Sequence, residues 1–148
     1  MADAIFPAFI NQTAPQPDSG TLPPLRECRW DFASDLPVFV RGEPVLVTGR
    51  EAVLVWAWNA LHTARGRFEM YTLNYGSDVE NLIGTSWSNE LKAAEARQYV
   101  EDCLLASPYI RAVRDVDIQF AGAALTIACR IETIYGEDTL EVGDGLAL

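Results

Sequence analysis

A chain of 148 residues, 49% of them hydrophobic, is the size of one domain with an ordinary buried core. The formal net charge of −10 argues against nucleic acid and anionic membrane surfaces as partners, because binding to both depends on Lys and Arg. The sequence shows neither an apolar run of bilayer length nor a basic, apolar leader, so we expect a soluble protein that is not secreted by the usual route.

Residues 1–27 differ in composition from the rest of the chain. They contain five of the eight prolines and no periodic apolar pattern, which predicts an extended arm. Two interpretations of its apolar residues stay open: they are anchors that become ordered on a partner, or they belong to a solubilising tail. These residues are Ile5, Phe6, Phe9 and Ile10.

From Cys28 onward the sequence has the pattern of a folded domain, which we place at residues 28–136. Short strands are predicted in CRWDF, PVFV and EPVLVTG. A helix is predicted over residues 49–62, where Thr48 and Glu51 have the spacing of a capping box. Apolar residues cover nearly every side of this helix, so either the flanking strands wrap it or another subunit covers it.

Two tryptophans on this helix point in different directions. Trp56 and Trp58 lie about 200° apart around the helix axis, so they cannot both face one small core. We expect one of them to meet the sheet and the other to be a candidate for contact with a partner.

The segment LNYGSDVENLIG, residues 73–84, is interpreted as a structural corner. The preceding ARGRFEMYTLNYG is predicted to hold a glycine turn and a short strand. Gly76, after Tyr75, supplies a backbone turn open to positive φ, and Asp78 is predicted to cap a short helical turn that Gly84 closes. Nearby charges give the corner a rim of the kind that fixes register with a partner: Arg65, Arg67 and Glu69.

A second, amphipathic helix is predicted in SWSNELKAAEARQYVEDCLLAS. Ser86 or Ser88 is its predicted N-cap, and Pro108 prevents its continuation. One face is expected to pack and the other to be solvated.

Two alternating runs, VDIQF and ALTIACRIETI, predict a long antiparallel hairpin around residues 121–123. One face is expected on the helices and the other in water. The sparse charge between Ala121 and Cys129 predicts an edge open to strand pairing with a partner. Candidate contact residues there are Thr126, Ala128 and Arg130. Residues 137–148 are predicted to form a loose acidic tail.

The order of these elements predicts an α+β fold with two main helices on a small mixed sheet. Three widely spaced cysteines, Cys28, Cys103 and Cys129, suggest neither a disulfide framework nor a CxxC site. Cys103 and Cys129 lie in apolar patterns typical of small buried hydrophobes, and a reducing compartment is expected. We expect no metal and no cofactor.

Little in the sequence indicates catalysis. The one histidine, His62, lies at the end of the first helix, where a cation favours the helix dipole. Glycoside hydrolysis needs only two suitably spaced acids, but 21 acids make chance proximity expected. The candidates for this alternative are Asp78 with Glu80, Glu69, Asp31 with Asp35, and Glu137 with Asp138.

The run from Glu51 to Glu137 resembles the baseplate wedge and sheath-initiator family of contractile phage tails, which has prophage and type VI secretion relatives. The resemblance is carried by EAVLVWAWNALHT, TARGRFEMYTLNYGSDVENLIG, SPYIRAVRDVDIQF and RIETIYGE in this order, with CRWDF upstream. A related branch has a glutamate directly after the glycine that follows the first helix. This chain has Arg67 after Gly66, so no charge role is carried over.

The resemblance implies a non-enzymatic role in virion assembly. One side would bind the helical bundle of the baseplate wedge, and a sheet edge would receive strands from the first ring of sheath subunits. Tail tube and hub proteins are further candidate partners, and the implied place is the virion tail baseplate, assembled in the host cytoplasm. Some members were once described as lysozymes, which supports the peptidoglycan-hydrolase alternative. The candidate interface residues are Trp56, Trp58, Arg65, Arg67, Glu69, Tyr75, Gly76, Asp78, Thr126, Ala128 and Arg130.

Overall fold

The computed structural model describes residues 21–122 and 124–143, so the arm residues Ile5, Phe6, Phe9 and Ile10 lie outside it. The predicted α+β class is confirmed. In chain order the strands and helices are β1 (Arg26–Cys28), β2 (Trp30–Asp31), β3 (Leu36–Pro37), β4 (Phe39–Val40), β5 (Glu43–Pro44), β6 (Leu46–Thr48), α1 (Arg50–His62), a 3₁₀ helix (Val79–Leu82), α2 (Asn89–Leu105), β7 (Ile110–Ala121), β8 (Ala124–Thr133) and β9 (Gly136–Val142).

The first six strands form a three-way junction of short antiparallel pairs. β1 pairs with β6, β2 with β3, and β4 with β5. The three pairs meet in a ring of backbone hydrogen bonds: Arg29 N–H donates to the Val45 carbonyl (2.6 Å), Val45 to Val38 (3.0 Å) and Val38 to Arg29 (2.8 Å). In the β4–β5 turn, Arg41 and Gly42 have φ of 53° and 83°, the pattern of a type I′ turn whose twist matches the flanking strands.

Helix α1 is buried on most sides by this chain's own elements. It contacts β1, β6, α2 and β9, so the flanking strands wrap it, as the first of the two alternatives expected. The predicted capping box is wrong. Thr48 is the last residue of β6 and is paired there with Arg26, so the N-cap is Gly49, which has φ 65° and no side-chain bond. Glu51 instead binds Arg29 at 3.0 Å.

Helix α2 begins as predicted at Ser88, whose Oγ accepts a hydrogen bond from the Leu91 N–H at 3.3 Å. Its inner face includes Cys103, and Cys129 lies opposite on β8 in the same core. Burial raises the pKa of the Cys103 thiol to about 12 and that of Cys129 to about 11. Both thiols therefore stay protonated at neutral pH and act as small hydrophobes, as predicted.

The larger sheet has the strand order β7-β8-β9, and the predicted β7–β8 hairpin is confirmed. The prediction of a loose tail from residue 137 is wrong for its first part, because β9 pairs with β8 without a break in register. Leu140 and Val142 face the core, whereas Glu137, Thr139 and Glu141 face outward. The acidic residues of β9 hide the alternation of its core-facing and outward-facing side chains in the sequence. The strand is stabilised by its pairing with the apolar strand β8.

The pairing of β9 also corrects the predicted sheet edge. Thr126, Ala128 and Arg130 belong to β8, which is hydrogen-bonded on both sides and lies at the centre of the sheet. The edges are β7 and β9. The inner face of the sheet and the two helices enclose one main core, whose sheet residues are Ile110, Ile118, Leu125, Ile127, Cys129, Ile131, Leu140 and Val142.

Candidate protein-interaction site

Residues 65–76 form a closed surface loop, hereafter the aromatic loop. Its ends are joined by a single bridge in which Ser77 N–H donates to the Thr63 carbonyl (2.8 Å) and Arg65 N–H donates to the Ser77 carbonyl (3.1 Å). Gly76 has φ 106°, and a Cβ there would lie 2.7 Å from the Thr63 carbonyl oxygen. The predicted need for glycine at this corner is confirmed, for close backbone approach as well as for φ.

The strand predicted within this segment is wrong, because the residues form successive turns and pair with no strand of the part of the chain that the structure describes. The turns expose large apolar side chains: Phe68, Met70, Tyr71 and Leu73. Met70 is 82% exposed and Leu73 81% exposed. Apolar groups grouped in this way mark protein contacts. These apolar residues are visible in the sequence, but Phe68 and Met70 alternate with polar residues, a pattern that favours a strand over an exposed loop.

A line of aromatic rings connects this loop to helix α1. The Trp56 ring meets Tyr75 edge-on at 5.7 Å between centroids, Tyr75 lies 4.5 Å from Tyr71, and Tyr71 lies 6.2 Å from Phe68. Burial raises the pKa of Tyr75 to about 12, so its phenol stays neutral at physiological pH. The line runs from the half-buried Trp56 to the exposed Phe68, which gives the loop a rigid apolar base.

The predicted charged rim consists mainly of ion pairs. Arg65 binds Asp78 at 3.1 Å, and Arg67 binds Glu80 at 3.0 Å. Glu69 is exposed on the loop. Asp78 occupies the predicted N-cap position of the 3₁₀ helix, but its side chain makes no cap bond, and the Ser77 hydroxyl accepts from the Val79 N–H instead.

Most acids of the hydrolase alternative make structural contacts, whereas the side chains of Glu69 and Glu137 are exposed. Asp78 and Glu80 each bind an arginine, as above. Asp31 accepts from the Ala33 N–H and the Ser34 hydroxyl in its own turn, and Asp138 binds Arg50. These contacts are those of a turn and of ion pairs.

Trp58 and Asp35 hold the β2–β3 hairpin on helix α1. The indole N–H groups of Trp30 and Trp58 both donate to the same Asp35 oxygen at 2.9 Å, and Phe32 packs on the Trp58 ring. The hydrogen bond from Trp58, and to a smaller extent the one from Trp30, lowers the pKa of the Asp35 carboxyl. Trp58 is only 6% exposed, so within this chain it is a core residue, whereas Trp56 reaches the surface at the aromatic loop.

The outer face of the larger sheet carries the remaining predicted residues. Thr126, Ala128 and Arg130 form its middle row, and Arg130 binds Asp115 of β7 at 2.7 Å. Apart from Trp58, which lies in the core, the structure thus gathers the candidates into two groups. Trp56, Arg65, Arg67, Glu69, Tyr75, Gly76 and Asp78 lie at or beside the aromatic loop, and the three β8 residues lie on the sheet.

Nowhere in residues 21–122 or 124–143 do three or more His, Cys, Asp or Glu side chains come together as a set of metal ligands. Over the same residues, neither helix is long and apolar enough to cross a bilayer.

An α+β domain with an exposed aromatic loop, and with sheet edges that pair with no other described strand, has the surfaces expected of a structural subunit in a larger assembly. Residues 26–136 match the family model of the contractile injection system sheath initiator. This span is most of the chain, which therefore belongs to that family. A curated relative, the phage-like element PBSX protein XkdS of Bacillus subtilis (strain 168), is 30% identical over 98 residues, which is 66% of this chain and 68% of the relative. The resemblance found in the sequence is confirmed, and the protein has a structural role in a contractile tail.

Proposed function

We propose that this protein joins the baseplate wedge to the tail sheath and initiates sheath assembly, with the free edge of β9 as the surface that receives a sheath strand. The observation that carries the proposal is the position of β9. Seven residues pair with β8 in unbroken register, and among the described residues the other side of β9 pairs with no strand. A regular free edge is a template for strand addition.

The opposite edge of the sheet is less suited to this role. The β7–β8 register shifts between Arg114 and Asp117, and Asp115 in that bulge has φ 51°. Bulges bend a strand and interrupt its ladder, which is a common way of protecting an edge. Four charged residues along β7, Arg111, Arg114, Asp115 and Asp117, add to that protection.

The energetics favour a ring of such contacts over a single one. Alternate residues of an antiparallel edge present both backbone groups outward, so β9 offers about six groups. One of these is the Glu137 carbonyl, which already accepts from Arg50. The remaining bonds are worth about 1 kcal/mol each, while association costs roughly 4–15 kcal/mol. Several copies acting together would supply the difference.

The charge beside the β9 edge indicates the chemistry of the incoming strand. Glu137 and Glu141 are exposed on the outer face, whereas Asp138 is bound to Arg50. A strand with Lys or Arg on the same face would pair favourably across the ladder, and an acidic strand would be rejected. We therefore expect a basic sheath strand.

The aromatic loop is the proposed wedge-binding surface. Phe68, Met70 and Leu73 present apolar side chains of the kind that fit the grooves of a helical bundle. The ion pairs of Arg65 and Arg67 fix the loop and leave Glu69 free to select the register of the partner. Tube and hub proteins remain further candidate partners, and host cytoplasm is the proposed place of assembly.

The test uses a charge reversal on β9, Glu137→Lys with Glu141→Lys. Mixed with purified baseplates and sheath protein, this variant is expected to bind the wedge but to recruit at least about tenfold less sheath, because like charges then face each other across the ladder. Sheath recruitment is measured by co-sedimentation and electron microscopy. The control places two lysines on the other edge strand, Asp117→Lys with Gln119→Lys, and should recruit sheath normally. Normal sheath growth on the β9 variant would refute the proposed edge.

A further inference from the structure

A small apolar groove lies where the described chain begins. The Tyr109 hydroxyl donates a hydrogen bond to the Pro23 carbonyl at 2.7 Å, and Leu25 lines the groove two residues later. The Trp56 and Tyr75 rings form another part of the wall. Residues 1–20 therefore join the fold within a few residues of an aromatic recess.

The dimensions and chemistry of the groove suit one large apolar side chain. Its volume is about 210 Å³, below the roughly 300–1,000 Å³ of small-molecule sites. Its walls are mainly apolar, and Thr72 and Asn74 at the mouth carry neutral polar groups that can hydrogen-bond a peptide backbone. A cofactor is too large for this groove, whereas a phenylalanine ring is of suitable size.

We propose that the groove is filled by the segment at residues 5–10 of this same chain, which seats a phenylalanine, Phe6 or Phe9, against Trp56 and Tyr75. Phe6 and Phe9 are the aromatic residues among the first 20. The 13 residues between Phe9 and Pro23 can span roughly 45 Å, more than enough to return to the groove. Because the segment is tethered beside its site, its effective concentration is of millimolar order, which gives it an advantage over a free peptide.

Two observations identify residues 5–10 as the occupant of the groove. The described chain enters the fold beside the groove, and the phenylalanine rings of this segment are of a size that fits it. A second copy of the chain could offer the same segment, but it would lack the tether. The inference does not depend on the proposed function, since it concerns the isolated subunit without wedge or sheath.

The experiment uses the full chain with a photo-crosslinker, p-benzoylphenylalanine, in place of Phe6 or, separately, Phe9. After irradiation of the isolated protein, mass spectrometry is expected to find crosslinks to peptides containing Trp56, Tyr75 or Tyr109 from at least one of the two positions. Their yield should not change when the protein is diluted, because the reaction is intramolecular.

A groove-blocking variant tests the site itself. Asn74→Glu puts a carboxylate at the exposed mouth and should reduce the crosslink about tenfold, since seating the ring would desolvate the charge. Gln98→Glu, on the exposed face of α2, is the matched control and should have no effect. Circular dichroism establishes that both variants fold, and Thr72→Glu replaces Asn74→Glu if that variant does not. Crosslinks that disappear on dilution, that map elsewhere, or that persist in the folded groove variant would overturn the proposal.

Discussion

Of the two glycines in the aromatic loop, Gly66 and Gly76, only Gly76 has no room for a side chain. Its φ of 106° is strained for any L side chain, and a Cβ would also lie 2.7 Å from the Thr63 carbonyl and 2.9 Å from the Arg65 Cα. Both neighbours are backbone atoms, so relief would require the base of the loop to open. The closed loop and its ion pairs therefore require a residue without a Cβ, which is glycine, at position 76.

Gly76→Ala is expected to lower the free energy of unfolding by about 3 kcal/mol or more, because the strain of positive φ and the backbone clash add. Gly84→Ala is the matched control, since Gly84 has φ 80° but nothing within 4 Å of the added Cβ. That variant should lose only about 1 kcal/mol. Urea denaturation measures both. Equal losses would show that φ alone explains the glycine.

The stability of the folded protein is expected to depend on pH through Asp35. The indole bonds lower the pKa of its carboxyl in the folded protein, whereas an unfolded aspartate titrates near 3.9. The stabilisation is therefore complete above the unfolded pKa and is lost as the pH falls through the lowered folded pKa. Asp35→Asn keeps an acceptor and tolerates the positive φ of 54° but removes the charge.

At pH 7 the Asp35→Asn variant should be less stable by about 1 kcal/mol, a low value because Asp35 is largely exposed. The difference from the unmodified protein should shrink below about pH 4. Thermal unfolding across pH 3–7 provides the measurement, with the exposed Asp117→Asn as control. A difference that is constant with pH would contradict the charged hydrogen bonds.

At the level of elements, the two helices begin in different ways although their sequences suggested the same device. The Ser88 hydroxyl caps α2, whereas Thr48 is held in β6 and the N-cap of α1 is Gly49, which has no side chain to cap with. A capping motif is local, but whether its residue is free to cap depends on the strand that precedes it.

Ser88→Ala should therefore destabilise the protein by about 1 kcal/mol, while Thr48→Ala should change stability by less than about 0.5 kcal/mol. Both substitutions shorten an exposed hydroxyl side chain, so each serves as the control for the other. Denaturant midpoints at a constant m-value supply the comparison. A larger loss for Thr48→Ala would restore the predicted capping box.

The elements that could be predicted are those whose apolar residues recur at a regular spacing in the sequence. The β7–β8 hairpin alternates over both arms, and α2 has one apolar face with a serine before it. β9 could not be predicted in this way, because Glu137, Asp138 and Glu141 dominate its composition and its stability comes from pairing with β8. The aromatic loop was misread because exposed apolar residues imitate a strand when no tertiary information is available.

At the level of the whole molecule, the candidate site was only partly predictable, because part of it depends on contacts between residues that are far apart in the sequence. The corner residues from Arg65 to Asp78 were identifiable because glycine and charge act locally. The sheet edge was assigned to the wrong strand, because which strand is outermost depends on a pairing formed by residues later in the chain. The burial of Trp58 could not be predicted either, because the β2–β3 hairpin covers it. The hydrogen bond that joins Trp58 to this hairpin has its acceptor, Asp35, 23 positions away in the sequence.

The central position of β8 has a consequence for partial unfolding. From Ala124 to Cys129 the segment carries no charge in its sequence, and when β9 detaches, one side of β8 has no strand of the larger sheet to pair with. A molecule opened in this way exposes a strand edge that can pair with a neighbouring polypeptide. Pairing of β9 covers that edge and leaves an acidic one in its place. β9 thus keeps the uncharged strand of the sheet out of intermolecular contact.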